Sequence, residues 1–551
     1  MGLKEVFTES TIAKYVRVIR ASPRSLVANK RLLLTTLLFS TAGMPLTLDQ
    51  GSSSLIPSLP GFEKAFDINS GTDAATISNF VSIVYVGAAV GAALSFFFND
   101  RLGRLWSFRL YFFIWMLGQL IATGSSGRLS ALYAARVITG IGIGSLTVTG
   151  PMSIVEIAPA ETRGLLSSWF SIAFMLALFI STIAVYGISL HMAPSPLQYQ
   201  VVWFSCAIFA ALLIGASFFA AETPRWLFLQ GRDEEATAAL IRLRGLPADH
   251  PRVVSELHDI QTQIAHELGE FGGSKVSRMQ NFKAVLKEAF LVPSNLRRLQ
   301  QASIAFALAQ LSGANSVTSY LVPILTLVGV SSQGSKSLLL SGMYSLAKFF
   351  FTIITSFFFV DALGRRMSLF IGITVQMISH IYIGVYLKYK AEGPVSTSSG
   401  TAAVVMIFFH GFGYSAGLLV LPYVFGGELW PNKIRSFGSA FSQFFHWIFF
   451  YAILKATPSI LSEMDNWGAF LFFAGWCLIA LIYVYLTVPE ISGLNMEQTD
   501  ELFKGPWFSM RRRAKKVQVV HGVDRVETNG SQEADIKGTE KLTAENGASS
   551  V

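Results

Sequence analysis

The chain has 551 residues, 52% of them hydrophobic and only 14% charged, with a mean hydropathy of +0.49 and a formal net charge of +9. A soluble protein carries about 25% charged residues, so this composition excludes a water-soluble enzyme or binding domain. The basic excess needs no nucleic acid to explain it, because its lysines and arginines gather in connections predicted to face one side of a membrane.

The N-terminal arm, 1–31, is polar and basic, with Lys4, Lys14, Arg17, Arg20, Arg24, Lys30 and Arg31. No short apolar core with a cleavage site follows, so no cleavable signal peptide is expected. Ile12–Ile19 is amphipathic and suited to lie on the inner membrane surface. Twelve apolar stretches then follow, at 32–55, 76–98, 106–124, 129–150, 165–189, 200–221, 299–328, 337–360, 367–387, 401–427, 437–460 and 467–488. Each is long enough to cross a bilayer as a helix. Cations follow the even spans, which predicts cytoplasmic termini. The expected architecture is an all-α membrane protein with six-helix halves at 32–221 and 299–488. Between them, 222–298 is polar, with amphipathic pieces at Glu234–Leu243 and Val254–Leu268, and reads as a helical cytoplasmic linker. The tail, 489–551, carries after Phe508 a basic cluster at 511–516 that can touch anionic headgroups. The rest of it has a disordered composition. Asn529-Gly-Ser is a glycosylation sequon, but in a cytoplasmic tail it would go unused. Cys206 and Cys477 both fall inside spans, so no disulfide framework is indicated.

A repeat organises the chain. Asp100, Arg101 and Arg104 follow span two, and Asp361, Arg365 and Arg366 follow span eight. Glu156 and Arg163 follow span four at the same spacing as Glu428 and Arg435 after span ten. Glu222 and Arg225 follow span six, and Glu490 follows span twelve. Duplicated halves with a site between them are an architecture of alternating-access transporters. The arginines alone could serve topology, but carboxylates at matching offsets point to salt-bridge networks that clamp the halves in one state and part in the other.

The most unusual span is the seventh. Within it, Ala309–Tyr320 reads AQLSGANSVTSY, with Gln310, Ser312, Asn315, Thr318 and Ser319 around Gly313. In hydrocarbon such groups are costly unless paired or wet. A packed bundle could absorb one or two of them as interhelical hydrogen bonds. Five around a glycine predict a helix that bends and lines a polar pocket. GIGIG at 140–144 lies inside a span and reads as a close-packing face, not a nucleotide loop. No metal cluster, cofactor motif or nucleophile elbow is visible, and no enzyme is expected.

These motifs resemble the sugar-porter family of the major facilitator superfamily. The resemblance covers 30–503 and is carried by DRLGR at 100–104, GPMSIVEIAPAETRG at 150–164, AETPRWL at 221–227, QLSGAN at 310–315, DALGRR at 361–366, GELWPNKIRSFG at 427–438 and PEISGLNMEQ at 489–498. It implies a carrier, working as a monomer in the plasma membrane, for a monosaccharide-sized polyhydroxylated molecule. It also implies a titrating aspartate in span one, matched by Asp49, close to a span-four arginine, matched by Arg136. An ionisable residue within a span is by default a functional candidate. Arg136 favours the ionised carboxylate and burial the protonated one, so pairing and access can switch proton affinity. A fixed structural pair is the alternative. The resemblance puts the substrate between Gln310, Asn315, the span-eight position held by Lys348, Tyr423, His446 and Trp447.

Several positions depart from the family pattern. The tandem glutamine of span seven is Ala309-Gln310, the double tyrosine is Ser319-Tyr320, and a span-five glutamine is Leu178. The span-ten tryptophan is Tyr423, the span-eleven glutamine is His446, and the span-eight asparagine is Lys348. A charged lysine at mid-span costs about 2.5–3.5 kcal/mol, and Lys348 is poorly placed to reach either interface. An anionic substrate would offset that cost. So would a structural carboxylate such as Asp49, and a lysine that is neutral when the site is empty is a third possibility. His446 is open to two readings, ligand contact or a neutral hydrogen-bonding residue. SGANS with a span-eight lysine is similar to fungal permeases for quinate and galacturonate. The expected function is proton symport of a sugar-like organic acid. Transport of a neutral hexose, pentose or polyol is the alternative, and a nutrient sensor without flux is one of another class.

Overall fold

The computed structural model describes residues 13, 16–17, 19–20, 23–27, 29–69, 72–159, 161–270, 278–330, 335–359, 365–419, 430–431, 434–488 and 502–503. Among these all regular structure is helical. Among the described residues, ten helices are long and apolar enough to cross a membrane. The other two predicted spans are Thr397–Ala416 and the broken seventh. Half of the expected amphipathic piece at Ile12–Ile19 falls outside the described residues.

Span one is bent. Lys30–Ser40 passes through a tight turn at Thr41–Gly43 into Met44–Leu55, with Pro45 at the start of the second piece, where its missing N–H costs nothing. Spans two, three, four, five and six are Ala74–Leu102, Arg104–Thr123, Leu129–Ile157, Arg163–His191 and Leu197–Ser217. Spans two and four pack through their glycines. Gly87 and Gly91 lie against the Val137 and Ile141 carbonyls, and Gly140 and Gly144 against those of Val84 and Ala88. A side chain at any of these would push the backbones apart, which is why small residues recur there.

The linker contains four helices, Pro224–Leu229, Asp233–Arg244, Pro251–Glu270 and Arg278–Leu291. Buried Arg244 ties it to the bundle, holding Glu256 and donating to the Ile157 carbonyl at 2.8 Å. Arg252 pairs with Glu161 at the same end of span four.

Span seven starts earlier than the sequence suggested, at Pro293, and is three pieces, Pro293–Leu311, Ala314–Ser319 and Leu321–Val328. Gly313 makes the first break with φ +76°, and a Cβ there would meet the Phe473 ring at 2.6 Å. Only glycine suits both demands. Spans eight, nine, ten, eleven and twelve are Lys336–Ile354, Arg365–Glu392, Thr397–Ala416, Arg435–Glu463 and Trp467–Thr487. Beyond the last span, Leu502 and Phe503 are fully buried, and the Phe503 carbonyl accepts from Arg297 at the start of span seven.

The halves meet through spans two and eleven, and through spans five and eight. The first interface is closed at both ends. Lys455 donates to Asn79, and Ser78 donates to the Lys455 carbonyl, at the end away from the linker. Phe96 packs edge-on to Phe437 at the linker end.

Candidate functional site

The break at Gly313 turns the polar stretch of span seven towards the middle of the bundle, where four side chains form one hydrogen-bonded string. Gln50 of span one donates to Asn315 at 3.3 Å and lies 3.4 Å from the Ser319 hydroxyl. Asn315 donates to Gln310 at 2.8 Å, and Gln310 lies 3.2 Å from His446 Nδ1. This string joins the two halves. Beside it Trp447 stacks on Tyr85 of span two, with ring centroids 5.8 Å apart. The Trp447 indole N–H has no hydrogen-bond partner among the described residues. Amides that read hydroxyl groups next to a large aromatic face are the furniture of a site for a polyhydroxylated ring. Tyr423, expected here, lies outside the described residues.

Asp49 and Arg136 meet in the N-terminal half as a direct ion pair, each 2% exposed. Arg136 also donates to the Phe80 carbonyl at 3.0 Å and lies over that residue's ring. One oxygen, Asp49 Oδ2, and one nitrogen, Arg136 Nη2, have no partner among the described residues. The pair is neutral as a unit yet keeps polar capacity in reserve.

Lys348 is different. It is 1% exposed, and its ammonium donates to Thr318 Oγ1 at 3.1 Å. The Tyr414 and Tyr344 rings lie 4.9 and 5.6 Å from the nitrogen, within cation–π range. Among the described residues no carboxylate pairs with it, and Asp49 is engaged with Arg136 instead. One ammonium, one hydroxyl and two rings leave two donor positions for a guest. Thr318 links this cation to the amide string, since it shares the short middle piece of span seven with Asn315.

The acidic and basic signatures divide by half. After span two, Arg104 makes a bidentate pair with Glu156 at 2.7 and 2.9 Å and a further contact to Asp100 at 3.2 Å. Glu222 caps the start of span three by accepting from the backbone of Arg104 and Leu105, at 3.1 and 3.0 Å. Gly103, at φ +86°, makes that close approach possible. Burial pushes the Glu222 carboxyl up from its ordinary range, while these donors and the Arg104 charge pull against the shift. Arg101 is exposed, and Arg163, also exposed, begins span five. Arg225 reaches Gln263 of the linker at 3.5 Å. In the C-terminal half, Arg366 donates to the Tyr485 carbonyl at 2.9 Å, and Arg435 begins span eleven. Asp361, Glu428 and Glu490 lie outside the described residues, as does the side chain of Arg365.

Sequence reasoning missed Gln50, Thr318 as a partner of Lys348, Tyr414 and Tyr85. Gln50 was adjacent to a residue singled out for charge, and a lone amide within a span was the available signal. Tyr85 and Tyr414 carried none, because aromatic residues are common throughout these spans.

The sugar (and other) transporter family matches residues 35–503. A probable quinate permease of Aspergillus niger is 29% identical, over 91% of this chain and 93% of its own length. A quinate permease of Neurospora terricola is also 29% identical, over 88% of this chain and 91% of its own. Among solved structures, the major facilitator superfamily proton:xylose symporter XylE, bound to 6-bromo-6-deoxy-D-glucose, aligns with a TM-score of 0.71 at 19% identity, over 86% of this chain and 100% of that one. At that identity the likeness speaks for the fold alone.

Proposed function

From its membership of the sugar (and other) transporter family, to which the chain belongs as an integral, multi-pass carrier and not an enzyme, we propose that it moves a sugar-like organic acid together with a proton by alternating access. Lys348 carries the reading. A buried ammonium with no carboxylate beside it among the described residues favours an anion, and the substrate's carboxylate is the natural counter-charge. Gln310, Asn315, Gln50 and Trp447 then hold the hydroxylated ring, with His446 fixing the amide string at its far end. Asp49 takes the proton, and Arg136 competes with it for the carboxylate.

The Arg104, Glu156 and Glu222 network holds the linker side of the N-terminal half in one state and loosens in the other. The domains divide at 32–221, 222–298 and 299–488. The carrier works as a monomer, in contact with membrane lipid, in the plasma membrane with both termini in the cytoplasm. The quinate permeases among its relatives support the acid, and the XylE likeness is compatible with the proton.

A second reading, a neutral hexose, pentose or polyol, is favoured by the string of amides that would serve an uncharged sugar equally well. Tracer uptake in a transporter-null host separates the two. Quinate and galacturonate should accumulate and an uncoupler should stop them, whereas glucose and xylose should not compete. Accumulation of the neutral sugars in place of the acids would reject the first reading.

A further inference from the structure

Beyond Lys348 lies a pair of titratable groups that the transport scheme above does not use. His380 of span nine and His410 of span ten are fully buried, with ring centroids 4.6 Å apart in an edge-to-face arrangement. His380 Nε2 lies 2.9 Å from the Ser312 carbonyl, which stands at the break before Gly313. A carbonyl only accepts, so this nitrogen holds the proton and donates, and Nδ1 is left as a bare acceptor. His380 Nδ1 has no hydrogen-bond partner among the described residues, and neither has either ring nitrogen of His410. Three buried imidazole nitrogens without a partner among the described residues, at one spot, are unusual in a folded protein.

The surroundings are sparse in charge. Span eight presents the Tyr344 ring and the Lys348 stem, both against Gly411 next to His410, and span ten presents Tyr414 one turn on. Span seven offers only the Ser312 carbonyl and the Thr318 hydroxyl. Span twelve offers the Phe470 and Phe473 rings. Among the described residues no carboxylate faces the pair.

We propose that His380 and His410 form a proton-accepting site in the C-terminal half, filled when a substrate carboxylate neutralises Lys348. This rests on the acid-binding reading of that lysine. With the site empty, burial is the first obstacle to a charge on either ring, and a Lys348 ammonium adds repulsion of a second cation. A bound carboxylate cancels that repulsion. A hydronium ion of the bathing solution then gives its proton to the free lone pair of one imidazole, an N–H bond forming as an O–H bond breaks and a water molecule leaves. The cluster gains one positive charge against the one negative charge of the substrate. Because coupling is reciprocal, a lower pH tightens substrate binding.

The experiment is titration calorimetry of the purified full-length protein with quinate, in two buffers of different ionisation enthalpy, which reports affinity and protons taken up together. In Asp49→Asn, with the other proton site removed, quinate should still bring protons with it. Adding His380→Gln with His410→Gln, or the milder His380→Asn with His410→Asn, should abolish that uptake and make the affinity independent of pH. In the otherwise unaltered chain, His380→Gln with His410→Gln should lower the proton count per quinate without abolishing it. Quinate binding to Asp49→Asn without proton uptake, or with uptake that the histidine variants leave unchanged, overturns this site and spares the acid reading. No quinate binding to the unaltered protein overturns both.

Discussion

Arg136 and Lys348 lie deep in this bundle, one in each half, and their surroundings are opposite. Arg136 has its counter-charge built in, since Asp49 meets it directly and the Phe80 carbonyl and ring complete its setting. Lys348 has a hydroxyl and two aromatic rings but no carboxylate among the described residues. Removing one partner of a closed buried pair strands the other charge, so such a pair resists change unless a proton takes the partner's place. An ammonium held by weak dipoles is instead prepared for a guest. One duplicated scaffold thus supports an internal ion pair in one half and an open cation in the other.

The largest effect should come from the closed pair. Asp49→Asn keeps the shape and removes the titrating group, and it should abolish accumulation against a gradient while tracer exchange persists. Undiminished accumulation would make the pair structural and erase its half of the contrast. Next comes Arg104, whose replacement by Ala leaves Glu156 without its bidentate partner. The cost should be about 3–5 kcal/mol, seen as loss of monodisperse protein on heating in detergent, whereas Arg101→Ala at the exposed end of the same motif should stay within about 0.5 kcal/mol.

For the open cation, Lys348→Gln should weaken quinate binding by about 10- to 100-fold, the worth of a charge-assisted contact, and leave any neutral sugar uptake unchanged. Equal affinity for the acid would remove Lys348 from the site. The smallest change is expected for Gln50→Ala. It opens the string between the halves at a cost of about 0.5–1.5 kcal/mol, read as a rise in half-saturating substrate with little change in maximal rate.

How much of this was legible depended on the residue. Asp49, Arg136 and Lys348 stood out because a charge within an apolar stretch is conspicuous in one dimension. The bend of span seven was legible from Gly313 among five polar neighbours. Its start at Pro293 and its second break at Tyr320 were not, because Arg297 and Arg298 dilute the hydropathy there and the second break carries no glycine. His380 and His410 went unremarked. A single histidine in a span has no periodic signature, and these two are separated by thirty residues of chain before packing brings their rings together.

The amino-acid sequence by itself determined the lipid environment, the twelve apolar stretches, the duplicated order of loop charges and the polar character of span seven. Each of these is a property of neighbouring residues, set by transfer free energy and helical spacing. Partner choice was decided only by the tertiary structure. Both buried cations could have claimed Asp49 as far as composition goes. The packing of span one against its neighbours brought that carboxylate to Arg136, and the break at Gly313 brought Thr318 to Lys348 instead. Ion pairing and hydrogen bonding need contact within a few ångströms, so which helix faces touch, and not which residues exist, chose the cation left without a carboxylate among the described residues.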